Sequence, residues 1–390
     1  MSVEYWSLSN RFRELQSAYL TLEDEYKELK REHFYSKYNR TEIVVNEMKV
    51  LNNLVTELLN VKVPVSPLYR EYNFTNPRDG WIFISSTADI MGSGRVRVAL
   101  DSASAEEALI VHEAGKEQTL EAMRLLSAGE HKLKVWCEGE SSLELIVRAI
   151  PELIYNSFPS NPHVSEYGPY DKKFLEKDVL RNVNVIVGSL YPVFTDEWKK
   201  QGKRWITEAS IYPVIEETVT AEAAYNYWAG QEGFQNPSLD GIIVDAFPMG
   251  NFRQYEAWIE AVKRIHQSEK FKGKTFYGYV ETMHLYSSSK EFIQTLMDLG
   301  YKFAWDTYFR ELPTEGMARD LSENRTPWIY SPLKSAMLAW RKVQPGVEKH
   351  MILNLNYESA PPESMDANPG VDYKVFMDIQ LNEIANDPAF

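Results

Sequence analysis

From about residue 151 onward, short apolar runs recur, and between them lie stretches of helix length with one apolar face. The runs are Leu153–Pro159, Val183–Ser189, Arg204–Ser210, Leu239–Phe247, Thr275–Thr282, Tyr301–Phe309 and His350–Ser359. Each is rich in Val, Ile, Tyr, Phe or Trp, which pack well on a pleated surface. Helical spacing is read at Asp171–Leu180, Glu216–Ala229, Phe252–Ser268, Lys290–Leu299, Leu333–Lys342 and Tyr373–Ala385. Strands alternating with helices predict a parallel sheet joined by crossovers, here a (β/α)8 barrel of TIM type. Seven strands are countable and an eighth is not evident before Phe390.

The remaining chain reads as two further regions. Residues 64–150 hold short, often alternating runs separated by Gly-containing turns, which predicts a β-sandwich. In residues 1–63, Phe12, Leu15, Tyr19, Leu22, Tyr26 and Leu29 recur every three or four positions, as do Val44, Met48, Leu51, Val55 and Leu58. That spacing predicts a helical hairpin or coiled coil, broken at Tyr35–Thr41 and ended by Pro64 and Pro67. The alternatives are a hairpin packed on the body and a long helix that joins copies of the chain as a homo-oligomer. Residues 151–390 form the barrel region and hold the candidate catalytic groups.

Composition narrows the function. The net charge of −14 comes without any Lys/Arg cluster, so a nucleic-acid partner is not expected. Ten Trp, 23 Tyr and 17 Phe supply apolar faces of the kind that stack on pyranose rings, although most are expected in the core. The single cysteine, Cys137, excludes an internal disulfide and reads as a small buried hydrophobe. The seven histidines are scattered with no HExxH, there is no GxGxxG after a strand, and there is no GxSxG elbow. No metal or cofactor is therefore expected. No apolar run approaches the ~20 residues of a membrane span. The N-terminus lacks the pattern of a signal peptide, which leaves a cytoplasmic protein or an exported one whose leader was removed.

The polar residues at or just beyond the ends of the barrel runs are Asn156, Ser189, Glu208, Asp245, Glu281, Asp306, Asn356 and Glu358. A β/α barrel builds its site at those ends, and hydrolysis of a glycosidic bond needs two carboxyl groups flanking it. Asp245, Asp306 and Glu281 are the candidate catalytic acids. In strand periodicity Ile243, Asp245 and Phe247 share one face, Ala304 and Asp306 another, and Tyr277, Tyr279 and Glu281 a third. Glu208, Tyr191, Tyr212, Phe247, His284, Trp305, Tyr308, Arg310, Asn356 and Glu358 are the candidate groups for binding a carbohydrate substrate. For each acid, a structural role in holding a loop is the competing reading.

Two resemblances follow. The segment Leu125–Ile150 looks like the final hairpin of jelly-roll accessory modules fused to glycoside hydrolases. An Asp ending the fourth run (Asp245) and an Asp ending the sixth (Asp306) resemble the α-galactosidase and α-glucosidase clan of retaining glycoside hydrolases. That resemblance implies Asp245 as nucleophile and Asp306 as proton donor. The β-glycosidase clan would instead select Glu358, but it expects Asn-Glu where this chain has Val244-Asp245. The expectation is a glycoside hydrolase, and the alternative is a non-catalytic carbohydrate-binding or surface-assembly protein on the same scaffold.

Overall fold

The structure is a computed structural model that describes residues 48–63, 68–102, 104–115, 117–158, 172–306, 327–353, 381–382 and 384–390. Its first half is antiparallel: β1 (Lys49–Val50), β2 (Thr56–Val63), β3 (Leu68–Asn76), β4 (Gly80–Leu100), β5 (Ile110–Glu113), β6 (Gln118–Leu126) and β7 (Gly129–Ile150). All seven belong to one sheet, not to the two separate sheets expected of a sandwich. The long strands β4 and β7 pair with each other on both sides of a register slip between Met91 and Arg95. Gly92 takes φ 79° there, and a Cβ on Gly94 would lie 1.8 Å from the Glu138 carbonyl oxygen. The bend folds the sheet around one core that includes Ile82, Ile84, Val96 and Val98 of β4 and Leu133, Val135, Leu145 and Val147 of β7. Cys137 lies in this core, and burial raises its thiol pKa.

The helical expectation for residues 1–63 is corrected over residues 49–63. Thr56–Val63 is strand β2, paired with β7. Leu51 and Leu58 fit a helical seam on spacing alone, but the partner strand decides the outcome, and Leu51 is exposed while Leu58 and Leu59 are buried. The rest of the expected helical segment lies outside the described residues.

The second half is a parallel sheet of seven strands: β8 (Ile154–Phe158), β9 (Val185–Gly188), β10 (Arg204–Ser210), β11 (Gly241–Phe247), β12 (Thr275–Val280), β13 (Lys302–Trp305) and β14 (Met351–Leu353). They neighbour one another in chain order. Among the described residues five longer helices lie in this half: α1 (Pro192–Lys200), α2 (Ala221–Ala229), α3 (Gln254–Gln267), α4 (Ser287–Asp298) and α5 (Pro327–Val343). Trp228, Trp258, Phe292 and Trp340 of the helices pack with Ile242, Val244, Phe276 and Phe303 on one face of the sheet. The opposite face gathers Val185, Val187, Ile206, Ile243, Tyr277 and Ala304, and Ile154 and Ile352 from the two edge strands pack on that same cluster. The sheet is therefore curled. Among the described residues it is an open half-barrel, and the closed eight-stranded barrel expected from the sequence is not seen.

The two halves meet through the outer face of the bent sheet. Trp81 of β4 and Met123 of β6 join the concave cluster of the parallel sheet. Between β7 and β8, the buried carboxylate of Glu152 accepts from Trp81 Nε1 at 3.0 Å and from the Tyr277 hydroxyl at 2.6 Å, and pairs with Lys302 at 3.2 Å. Burial works to raise its pKa, but Lys302, Tyr277, Trp81 and Arg204 together hold it below its ordinary value. No helix among the described residues is long and apolar enough to cross a membrane.

Candidate functional site

The acids are placed by parallel register. Glu208 pairs with Ile243, and Ser210 pairs with Asp245. Ile206 and Ile243 lie on the concave side, so Glu208 and Asp245, each two residues further along, take the same side at the C-terminal end. Glu208 stands one pleat behind Asp245 on the neighbouring strand. With strands about 4.8 Å apart and about 3.3 Å of rise per residue, their Cα positions are about 8 Å apart.

The chain distorts immediately after Asp245. The pairing of β11 with β12 shifts between Val244 and Phe247, and Ala246 adopts φ 67°. A non-glycine residue in that region is strained, and such strain clusters at sites where geometry is imposed. The bulge leaves Asp245 on the concave side and turns Phe247 over to the helix side. Phe247 is fully buried there, its ring centroid 4.5 Å from Phe292 and 5.4 Å from Trp258. This corrects the expectation that Ile243, Asp245 and Phe247 share a face and that Phe247 is a loop aromatic open to substrate.

Burial raises the pKa of Asp245, opposed by a hydrogen bond from the Ala246 amide. Glu208 is exposed, yet partial desolvation raises its pKa as well, and the negative charge of Asp245 raises it further. Two carboxyl groups that share a site do not ionise together easily, so this pair retains a proton to higher pH than isolated acids would.

Glu281 has a different environment. Its Oε2 accepts from the Met249 amide at 3.1 Å, and its own amide lies 3.4 Å from the Phe247 carbonyl. It ties down the loop that follows Asp245. Asp306 is half-buried at the end of β13, and its amide donates to the Val280 carbonyl at 2.7 Å. Continuing the β12–β13 register puts Asp306 level with Glu281, two strands from Asp245 and about 10 Å across the sheet.

The aromatic candidates divide. Tyr191 and Tyr212 are exposed on the loops after β9 and β10, with Tyr212 at 71%. Trp305 is buried with Trp340 on the helix side, so it is a core residue and not a loop platform. His284 lies against Trp340, ring centroids 4.8 Å apart, and burial lowers its pKa. Tyr308, Arg310, Asn356 and Glu358 lie outside the described residues. The sequence reading missed Phe252 and Tyr286, which are exposed on the loops after β11 and β12. Their signal was available, since each is an aromatic a few residues beyond a strand end. Ser210, level with Asp245, was also missed. Among the described residues no group of three or more His, Cys, Asp or Glu is arranged to hold a metal ion.

No protein-family model matches the chain, and no curated protein matches it. Solved structures to which it is similar include glycoside hydrolases and carbohydrate-binding modules. The CBM22-1–GH10 modules of endo-1,4-β-D-xylanase 10B from Clostridium thermocellum are 11% identical, with 70% of each chain covered and a TM-score of 0.27. A ruminal GH26 endo-β-1,4-mannanase is 10% identical, covering 81% of this chain and 84% of that one, with a TM-score of 0.25. The C-terminal CBM6 of a laminarinase from Zobellia galactanivorans is 13% identical, covering 26% of this chain and 96% of that one, with a TM-score of 0.19. Likeness at these TM-scores carries no weight for the chemistry of this chain.

Proposed function

We propose that this protein is a glycoside hydrolase acting on an oligo- or polysaccharide, with Asp245 and Glu208 as its paired carboxyl groups. The supporting observation is that two neighbouring carboxylates face the concave side at the C-terminal ends of β10 and β11, and one raises the pKa of the other. Asp has the lower intrinsic pKa, so Asp245 ionises first and its charge keeps the proton on Glu208. Glu208 then protonates the leaving oxygen. Asp245 attacks the anomeric carbon or activates the water that does so. This modifies the pairing of Asp245 with Asp306 implied by the clan resemblance: Asp306, two strands away, becomes a substrate contact, and Glu281 positions the loop behind Asp245. Tyr191, Tyr212, Phe252 and Tyr286 form an exposed aromatic rim on four successive strand-end loops, where sugar rings can stack.

The test is hydrolysis of a panel of aryl glycosides and oligosaccharides by the wild type, Asp245→Asn and Glu208→Gln. Turnover by the wild type that falls by a factor on the order of 10³ or more in both variants supports the proposal. Sugar binding without turnover, equal in all three proteins, would overturn it and assign the chain to carbohydrate binding alone.

A further inference from the structure

At the opposite end of β10 from Glu208, a cleft opens between the antiparallel sheet and the loops and helix end that precede β10. It measures about 310 Å³ and is lined by Glu121, Met123 and Arg124 of β6 and by Arg181, Lys200 and Lys203 of the parallel half. Lys203 precedes β10 and Glu208 lies five residues on, so about 16 Å of strand separates this cleft from the acids. Four cations face one carboxylate here, in a chain whose net charge is −14.

Two of these cations, Lys203 and Arg124, are held in place, and among the described residues counter-charges are few. Lys203 is only 6% exposed; its Nζ donates to the Leu180 carbonyl at 3.2 Å and lies 4.2 Å from the centre of the Trp198 ring. Among the described residues no carboxylate pairs with it, and burial pulls its pKa down to about 8. Arg124 donates to the carbonyls of Met123 and Gln201, and burial lowers its pKa as well. Gly202 makes room for it, since a Cβ at that position would lie 2.6 Å from Arg124 Cδ. Among the described residues only Arg181 of these four has an acidic partner, Glu121 at 3.5 Å on the open side. A buried cation without a counter-charge is unfavourable, and a bound anion would relieve that cost. Guanidinium groups beside ammonium groups suit an oxyanion, with the Arg fork giving direction and the Lys giving charge.

We propose that this cleft binds a doubly charged oxyanion of the phosphate or sulfate class through Arg124, Arg181, Lys200 and Lys203. The volume, at the lower end of the range for small-molecule sites, admits such a group carried on a small organic molecule. Because residues of both halves line the site, the bound anion joins them. Binding to the folded state alone then raises stability with concentration. The site stands independently of the sugar-cleaving proposal.

The test uses the full chain with inorganic phosphate and, in parallel, sulfate, at an ionic strength held constant with sodium chloride. Calorimetric titration should show saturable binding, and thermal unfolding should shift upward with it. The Arg181→Gln/Lys200→Gln double variant changes only solvent-facing groups, so it should fold and should weaken the apparent Kd at least about tenfold. The Lys272→Gln variant, an exposed cation elsewhere, should leave it unchanged. Phosphate and sulfate also stabilise proteins generally by exclusion from their surface. An equal, non-saturating rise in the wild type and the double variant, or an equal loss in Lys272→Gln, would therefore overturn the proposal.

Discussion

Glu208 and Asp245 occupy adjacent parallel strands one pleat apart, and the charge of Asp245 raises the pKa of Glu208. Asp245→Asn is therefore expected to lower the Glu208 pKa. A carbon-13 NMR titration of side-chain carboxyl groups in the two proteins reads this directly. An unmoved Glu208 resonance would mean that the two groups titrate independently.

Both acids have folded-state pKa values raised above their unfolded ones. The stability they contribute is fully present below the unfolded values, about pH 4, and is lost as pH rises through the raised folded values. Toward neutral pH that contribution diminishes. Asp245→Asn and Glu208→Gln should each have a higher Tm than the wild type at neutral pH, with the gap closing in acid. That is the usual exchange of stability for activity at a site.

Glu152 behaves in the opposite sense. Its folded pKa is lowered, so its contribution is present above the unfolded value and lost as pH falls through the folded one. Glu152→Ala leaves Lys302 and the Trp81 and Tyr277 donors without their acceptor and should cost about 3–5 kcal/mol near neutral pH. Urea unfolding as a function of pH should show the difference from the wild type shrinking toward acid.

The φ of 67° at Ala246 gives a fourth expectation. Ala246→Gly removes the Cβ clash and should raise stability by up to about 1 kcal/mol, while Ala246→Val should lower it by more than about 1 kcal/mol. If Asp245 is catalytic, the glycine variant should also lose turnover, because the strained backbone fixes the amide that Asp245 accepts from. Chemical unfolding and steady-state rates on the two variants separate the effects.

Much of the parallel half was legible. Runs such as Arg204–Ser210 and Leu239–Phe247 match β10 and β11 closely, because β-branched and aromatic residues bounded by turns leave little choice. Asp245 and Glu208 could be put at strand ends by counting alone. The reversal of Phe247 could not, because the bulge rests on Ala246, and Pro248 signals only the end of the strand. Trp305 was misplaced for a related reason: it neighbours Asp306 in sequence but faces the helices. The stretch 51–60 carries a helical spacing, but pairing with β7 from Thr56 onward overrides it, a long-range effect invisible to a local window. Glu152 escaped notice because its partners Trp81 and Tyr277 are 71 and 125 residues distant in sequence.

The Glu152 junction bears on how this protein can be taken apart. Modules strung on flexible linkers can be excised, shuffled or circularly permuted, because few contacts cross the boundary. Here Glu152, two residues after β7, is bound by a tryptophan of one sheet and by a tyrosine and a lysine of the other. A cut at Pro151 would expose Trp81 and Met123 on one fragment and strip the concave face of the other, so each piece would present a sticky apolar surface. The two described halves are therefore expected to recombine poorly when separated, and a chimaera should carry this junction over whole.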